Sequence, residues 1–202
     1  MPLAPGQVGK LSTSDCALFV CDVQERFRTV IAGMPAVIDT SRRMLRAAHE
    51  LQIPVVITEQ YPKALGSTVE ELAAHVPEGS PVVAKTKFSM MVPEVRDYLS
   101  SLSMIHKILL VGIEAHVCVL QTTLDLIENG YEVHIVVDGV SSSRLADRAV
   151  AFQRMVQAGA LLCTSEMVLF QVMEDAKAPG FKAVSALAKE KRPTMLPVPS
   201  ML

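Results

Sequence analysis

Three side chains capable of chemistry stand just past apolar runs in this sequence. Asp22 follows Leu18-Phe-Val-Cys21, Lys85 follows Val82-Val-Ala84, and Cys118 comes shortly after Ile108-Leu-Leu-Val111. A nucleophilic thiol needs a base to accept its proton and a cation to steady the charge left behind. A carboxylate, an ammonium and a thiol make up that set. Each residue also has a plainer reading. Asp22 could cap the segment after it. Lys85 could be a solvated loop lysine, and Lys87, two residues on, fits the local pattern equally well. Cys118 could be one more buried cysteine, the role expected of Cys16, Cys21 and Cys163 within strands.

The elements that must position these residues are legible as alternating strands and helices. Strands are expected over 16–22, 53–58, 81–84, 108–111, 133–137 and 160–163, all short and apolar. Helices are expected over 34–51, 93–102, 115–128 and 145–158, and two more over 165–175 and 182–189. Pro93 suits a first helical turn, and Asn129-Gly130 reads as a C-cap. Ser67 and Glu70 fit a capping box for a short helix. The tail over 192–202 is expected to be irregular, the core to span about 14–190, and the chain to be one domain. Six apolar strands alternating with helices predict a parallel sheet covered on both faces, in an α/β class. In such sheets the site lies beyond the carboxyl ends of the strands, where the strand order switches. Cys118 would then sit in the first turn of the helix after strand four. The free N–H groups of that turn favour a thiolate and could hold an oxyanion.

Composition narrows the classes. The chain has 202 residues, half of them hydrophobic and a fifth charged, which is a globular rather than a disordered balance. The net charge of −2 gives no reason to expect a nucleic-acid or membrane partner. No apolar run approaches the roughly 18 residues of a membrane span. The N-terminal segment shows neither a secretory h-region nor an Arg-rich leader. Four cysteines without a C-x-x-C pair point to free thiols in a reducing, cytoplasmic setting, with the mitochondrion left open. Five scattered histidines offer no metal-binding spacing, so no metal and no cofactor is expected.

Three ordered segments carry a resemblance to a known family. Phe19-Val-Cys-Asp22-Val-Gln24-x-x-Phe27 resembles the opening motif of the isochorismatase-like hydrolases. Lys85-Thr-Lys-Phe88-Ser89 is similar to their K-x-x-[FY]-S segment, which favours Lys85 over Lys87 as the catalytic lysine. Gly112-Ile-Glu114-Ala-His-Val-Cys118-Val119 resembles their element around the nucleophile. Thr58-Glu-Gln-Tyr-Pro62 and Thr164-Ser-Glu166 are shared in particular with the animal and protist isochorismatase domain-containing proteins. The resemblance implies a three-layer α/β/α fold with a six-stranded parallel sheet in the order 3-2-1-4-5-6. It implies a catalytic set of Asp22, Lys85 and Cys118, with an oxyanion hole from the backbone N–H groups of Glu114 and Cys118. It also implies a cis peptide between Ile113 and Glu114. Gln24, Phe27, Tyr61 and Phe88 are the candidate pocket walls. A homo-oligomer, dimer or tetramer, is a further implication, with the helix around 146–155 as one face for it.

The departures from that family also carry information. Its nicotinamidases bind a metal through an Asp and two His in the loop after strand two. Here that loop, Glu59-Gln-Tyr-Pro-Lys-Ala-Leu-Gly66, has no histidine, so a metal-dependent nicotinamidase is not expected. Isochorismate cleavage calls for an acid more than a thiol. Cys118 therefore points to a small amide, ureido or related acyl substrate, hydrolysed through a thioester. Two rival readings are a binding or scaffold protein that retains an old pocket, and a thiol redox sensor in which Cys21 comes near Cys118.

Overall fold

The computed structural model describes residues 8–194 and 197. The N-terminal segment before Val8, and most of the tail expected over 192–202, lie outside the described residues. The strands are β1 (Cys16–Cys21), β2 (Val55–Gln60), β3 (Val82–Lys85), β4 (Lys107–Gly112), β5 (Glu132–Val140) and β6 (Leu161–Cys163). They form one sheet in the order β3-β2-β1-β4-β5-β6, and every pairing is parallel. This is the expected fold.

The helices are α1 (Met34–Glu50), α2 (Pro62–Leu65), α3 (Glu70–Ala73), α4 (Pro93–Ser101), α5 (Leu120–Glu128), α6 (Leu145–Ala158), α7 (Ser165–Met173) and α8 (Phe181–Lys189). Side chains alternate across a strand, so β1 feeds two cores. Leu18 and Val20 pack with residues of α1, α7 and α8. Ala17, Phe19 and Cys21 pack with residues of α4, α5 and α6. All six residues of β1 are fully buried, which explains its unbroken apolar run: a central parallel strand meets helices on both faces. The connection between β3 and β4 runs through α4 on the second face, so the switch in strand order falls between β1 and β4.

Several local expectations shift. Strand β5 runs on through Asp138 and Gly139 to Val140, pairing with Gly112 after an irregularity in register. The Ser67–Glu70 capping box does not form; Val69 caps α3, without a side-chain bond. The reason is tertiary. Thr68 bridges to Gln24 and donates to Glu59 from both its N–H and its hydroxyl, which draws the segment onto the end of β1. The loop after β2 holds the short helix α2. The segment before α5 is a π turn, Ala115–Val119, rather than the first α-helical turn.

The close approach of β4 to β1 requires a glycine. A Cβ on Gly112 would lie 2.1 Å from the Cys21 carbonyl oxygen and 2.7 Å from the Cys21 nitrogen. Gly112 has φ +120, a backbone state that side-chain-bearing residues avoid.

Two buried thiols make stability sensitive to alkali. Burial pushes Cys16 from 9.0 up to about 12, and Asp15 adds to the effect. Burial, with Asp138, pushes Cys163 up to about 12 as well. In the unfolded chain these thiols ionise near the ordinary value, so folding then opposes proton loss. Their contribution is complete below pH 9 and disappears as pH rises towards 12. Urea unfolding should show stability falling by roughly 3 kcal/mol from these two thiols between pH 8 and 10. A Cys16→Ala/Cys163→Ala variant should show a flatter pH dependence; an equal slope would refute this.

Candidate active site

The carboxyl ends of β1, β2 and β3 converge on one buried ion pair. Asp22, the first residue beyond β1, takes φ +52, a left-handed state that aspartate tolerates better than most residues. Its N–H donates to the Thr58 carbonyl of β2 at 3.1 Å. Lys85, the last residue of β3, pairs in register with Gln60. Its side chain must therefore pass β2 to meet Asp22. It does so: Lys85 Nζ donates to Asp22 Oδ2 at 2.7 Å, with both side chains at most 2% exposed.

Each remaining polar site of the pair is occupied. Thr58 Oγ1 donates to Asp22 Oδ1 at 2.7 Å. Lys85 Nζ reaches Gln60 Oε1 at 2.7 Å, the Phe88 carbonyl at 2.9 Å and the Lys87 carbonyl at 3.2 Å. Lys87 points elsewhere, to an exposed ion pair with Asp125 at 2.9 Å. The two lysines that local pattern leaves equivalent are thus separated by register.

Cys118 lies in the π turn Ala115–Val119 and is 7% exposed. Single π turns inside helices recur at functional sites. The turn is held from several sides. The peptide bond between Ile113 and Glu114 is cis. Ala115 N–H donates to the Ser141 carbonyl, and Glu114 Oε2 accepts from Ser143 N–H at 2.7 Å. His116 Nδ1 lies 3.0 Å from Ser142 Oγ. Thr122 Oγ1 donates to the Cys118 carbonyl at 2.6 Å and accepts from Met90 N–H at 2.9 Å. That bond ties the loop after Lys85 to the turn that bears Cys118. Among the described residues, the Glu114 N–H finds no acceptor.

No direct hydrogen bond joins the Cys118 sulfur to Asp22 or Lys85 among the described residues. The Cys21 thiol donates to Asp22 Oδ2 at 3.6 Å and shares a core cluster with Cys118. Burial pushes Cys21 well above its ordinary range, and Cys118 and Asp22 push it further, against Lys85.

The expected pocket walls fare differently. Gln24 is fully buried, and its amide is committed to backbone: Nε2 to the carbonyls of Gln60 and Gly66, Oε1 to the Gln60 N–H. It clamps the loop after β2, which is a different job from lining a pocket. Phe27 is partly buried and packs on the α1-side core. Tyr61 and Phe88 are about half exposed, at 51% and 50%. Thr58 and Gln60 were not legible as site residues, and Cys21 entered only through the redox-sensor reading. The signal for Thr58 and Cys21 was their shared register at two strand ends, which needs the sheet order to be read. A cleft of about 480 Å³ between α1, α8 and the segment after α3 includes none of these residues.

Comparison with known proteins agrees with the motifs. The model for the isochorismatase domain matches residues 16–167. The chain belongs to the isochorismatase-like hydrolase family. It is 46% identical over 187 residues to isochorismatase domain-containing protein 2 of Xenopus laevis, covering 93% of this chain and 90% of that one. It is 44% identical over 200 residues to isochorismatase family protein 1A of Dictyostelium discoideum, covering 96% of each. Among solved structures, one described as the MAR1 ribonuclease of Caenorhabditis elegans superposes with a TM-score of 0.89 at 46% identity, covering 95% of this chain and all of that one.

In this isochorismatase-like chain the ion pair has a measurable signature. Lys85→Met keeps the bulk but leaves the Asp22 carboxylate buried without its cation. Urea unfolding should show a loss of about 3–5 kcal/mol. Adding Asp22→Asn should recover part of that loss, because the uncompensated charge goes. Additive losses in the double variant would mean that the two side chains are not coupled.

Proposed function

We propose that this protein is a cysteine-dependent hydrolase of a small amide, ureido or related acyl C–N substrate. The observation that carries the reading is the buried Asp22–Lys85 pair at 2.7 Å, next to a turn that presents a thiol. In this reading Asp22, paired with Lys85, accepts the Cys118 proton. The thiolate attacks the substrate carbonyl carbon, and the tetrahedral anion is met by the Glu114 and Cys118 N–H groups. That the Glu114 N–H has no acceptor among the described residues supports that role. The amine leaves, a thioester remains, and water activated by Asp22 hydrolyses it. Tyr61 and Phe88, exposed on the loops after β2 and β3, are the side chains suited to meet the substrate at the entrance.

The test is a panel of small amides, ureas and esters, with RNA included because one relative is described as a ribonuclease. Cys118→Ala should lower turnover on the order of 10³-fold or more and remove iodoacetamide labelling at that position. Full activity in that variant would end the nucleophile assignment. An inert wild type with an unreactive Cys118 would favour the scaffold reading, and RNA cleavage indifferent to Cys118→Ala would favour a ribonuclease.

A homo-oligomer is proposed with it. Leu145 and Val150 expose apolar side chains at separate points of α6, at 46% and 65%, the helix proposed to meet a second copy. Light scattering should give a dimer or tetramer mass that falls in Leu145→Lys/Val150→Lys; a wild-type monomer would refute this.

A further inference from the structure

Near its end, β5 falls out of step with β4. Between the pairs Leu110–Ile135 and Gly112–Val140, β5 advances five residues while β4 advances two. A bulge of this kind bends the strand and disrupts the ladder. Side chains take up the carbonyls there. Arg148 of α6 donates to the Val137 carbonyl at 2.7 Å and to the Val140 carbonyl at 2.8 Å. Thr40 of α1 donates to the Asp138 carbonyl at 3.0 Å. Just past the bulge, Ser141, Ser142 and Ser143 hold the turn that bears Cys118, through Ala115, His116 and Glu114.

The C-terminal chain is fastened to that same bulge. Glu190 is gripped by Arg42 and Arg46 of α1, at 3.3 and 2.6 Å. Two residues on, Arg192 Nη2 donates to Asp138 Oδ2 at 2.6 Å, to Thr40 Oγ1 at 3.0 Å and to Ser165 Oγ at 3.3 Å. The Asp138 side chain is only 1% exposed. The Pro197 carbonyl then accepts from Arg148 Nη1 at 2.9 Å. Thr40 and Arg148, which hold the bulge, therefore also hold the chain end. One stands on the α1 face of the sheet and the other on the α6 face.

We propose that Arg192 is a positioning residue of this site: it straps the C-terminal chain to the bulge in β5 and so sets Ser141–Ser143 and the Cys118 turn that they hold. The link to catalysis rests on the reading of Cys118 as the nucleophile; the strap itself does not. Arg192 acts at a distance, on the bulge through Asp138 and Thr40, and from the bulge on the bonds to Ala115 and Glu114. Without it, the buried Asp138 carboxylate loses its ion-pair partner and keeps only the Ser165 N–H and hydroxyl, at a cost that falls on the bulge. Ala32, before α1, braces the same loop: its N–H donates to the Ser142 carbonyl at 3.0 Å and its carbonyl accepts from Ser141 Oγ at 2.6 Å. Loss of the strap should therefore loosen the turn without releasing it. All three Arg192 bonds leave from one nitrogen, and the buried Nε has no partner, so a lysine can supply the part that matters.

The experiment compares the full chain as wild type, Arg192→Ala and Arg192→Lys. Two quantities are read: amide hydrogen exchange under folding conditions, and the rate of iodoacetamide alkylation at Cys118 at neutral pH. In Arg192→Ala the amides of Ala115 and Ser143 should exchange roughly three- to tenfold faster, while those of β2 and β3 keep their wild-type rates. Alkylation of Cys118 should slow by about the same factor, because the N–H groups that favour its thiolate are no longer held in place. Arg192→Lys should keep both quantities within about twofold of wild type. Unchanged exchange at Ala115 and Ser143 in Arg192→Ala overturns the proposal. So does faster exchange throughout the chain, which would make Arg192 a contributor to global stability only. Alkylation that is unchanged or faster, or a lysine variant that behaves like the alanine one, overturns it as well. A wild-type Cys118 that does not react at all ends the nucleophile reading and the catalytic half of this inference, while the exchange rates still decide the strap.

Discussion

A carboxylate and an ammonium removed from water at the ends of β1 and β3 set the terms for everything around them. Desolvating each ion costs several kcal/mol even after relaxation, and attraction offsets this only when the remaining lone pairs and protons find partners. Here they do. Thr58 serves the second carboxylate oxygen, and Gln60 with two carbonyls serves the ammonium. Those partners come from β2 and from the loop after β3. Satisfying the pair therefore fixes the course of two loops that have no helix of ordinary length to brace them. Gln24 extends the same logic. It bonds backbone at Gln60 and Gly66 and so closes the loop after β2 at both ends.

Cys118 is held by a different set of bonds, and the two sets meet at few points. The turn around Cys118 hangs from the end of β4 and leans on the loop after β5 through Ala115, His116 and Glu114. Gly112 brings β4 against the Cys21 backbone so tightly that no side chain could stand there. Thr122 links the turn to Met90 in the loop that Lys85 begins. The relative position of acid and thiol is thus a consequence of strand packing at the switch point, with Cys21 wedged at the contact. A site built on strand ends in this way is held to small tolerances by the core beneath it.

What could be read from residues alone follows the same division. The strands were legible because parallel, doubly covered strands are unbroken apolar runs, and β1 and β4 are clear instances. The helix α6 was legible from its period and from Gly159. Sheet order was not legible from pattern; it came with the family resemblance. Local grammar misled where tertiary bonds overrode it. Thr68 and Glu59 draw the supposed cap at Ser67 into a strand-like bridge, and the expected first helical turn at Cys118 is a π turn. In the site, Asp22, Lys85 and Cys118 could be named because each follows an apolar run. Thr58 and Gln60 could not, because their part depends on which residue lies across from them on the neighbouring strand. Lys85 and Lys87 illustrate the limit: two positions apart and identical in type, they are separated by the family resemblance and not by local pattern, and in the structure Asp125 takes the second.

The backbone at Tyr61 shows how this inner bonding reaches the surface. Its N–H donates to the Lys85 carbonyl at 2.8 Å, and its neighbour Gln60 holds the Lys85 ammonium. Between that double attachment and Pro62, Tyr61 takes φ +36, a state that costs an aromatic residue on the order of 1–3 kcal/mol. The side chain is nonetheless half exposed, so little of its own packing offsets the cost. The strain is instead imposed from inside, by the demand that Gln60 and the Lys85 carbonyl keep their partners. Phe88 stands in a similar relation, its carbonyl turned in to the ammonium and its ring turned out to solvent. In both loops the backbone is set by the ion pair while the side chain is free to vary. A fold arranged this way can keep one buried ion pair and change what surrounds its entrance by altering those outer side chains alone.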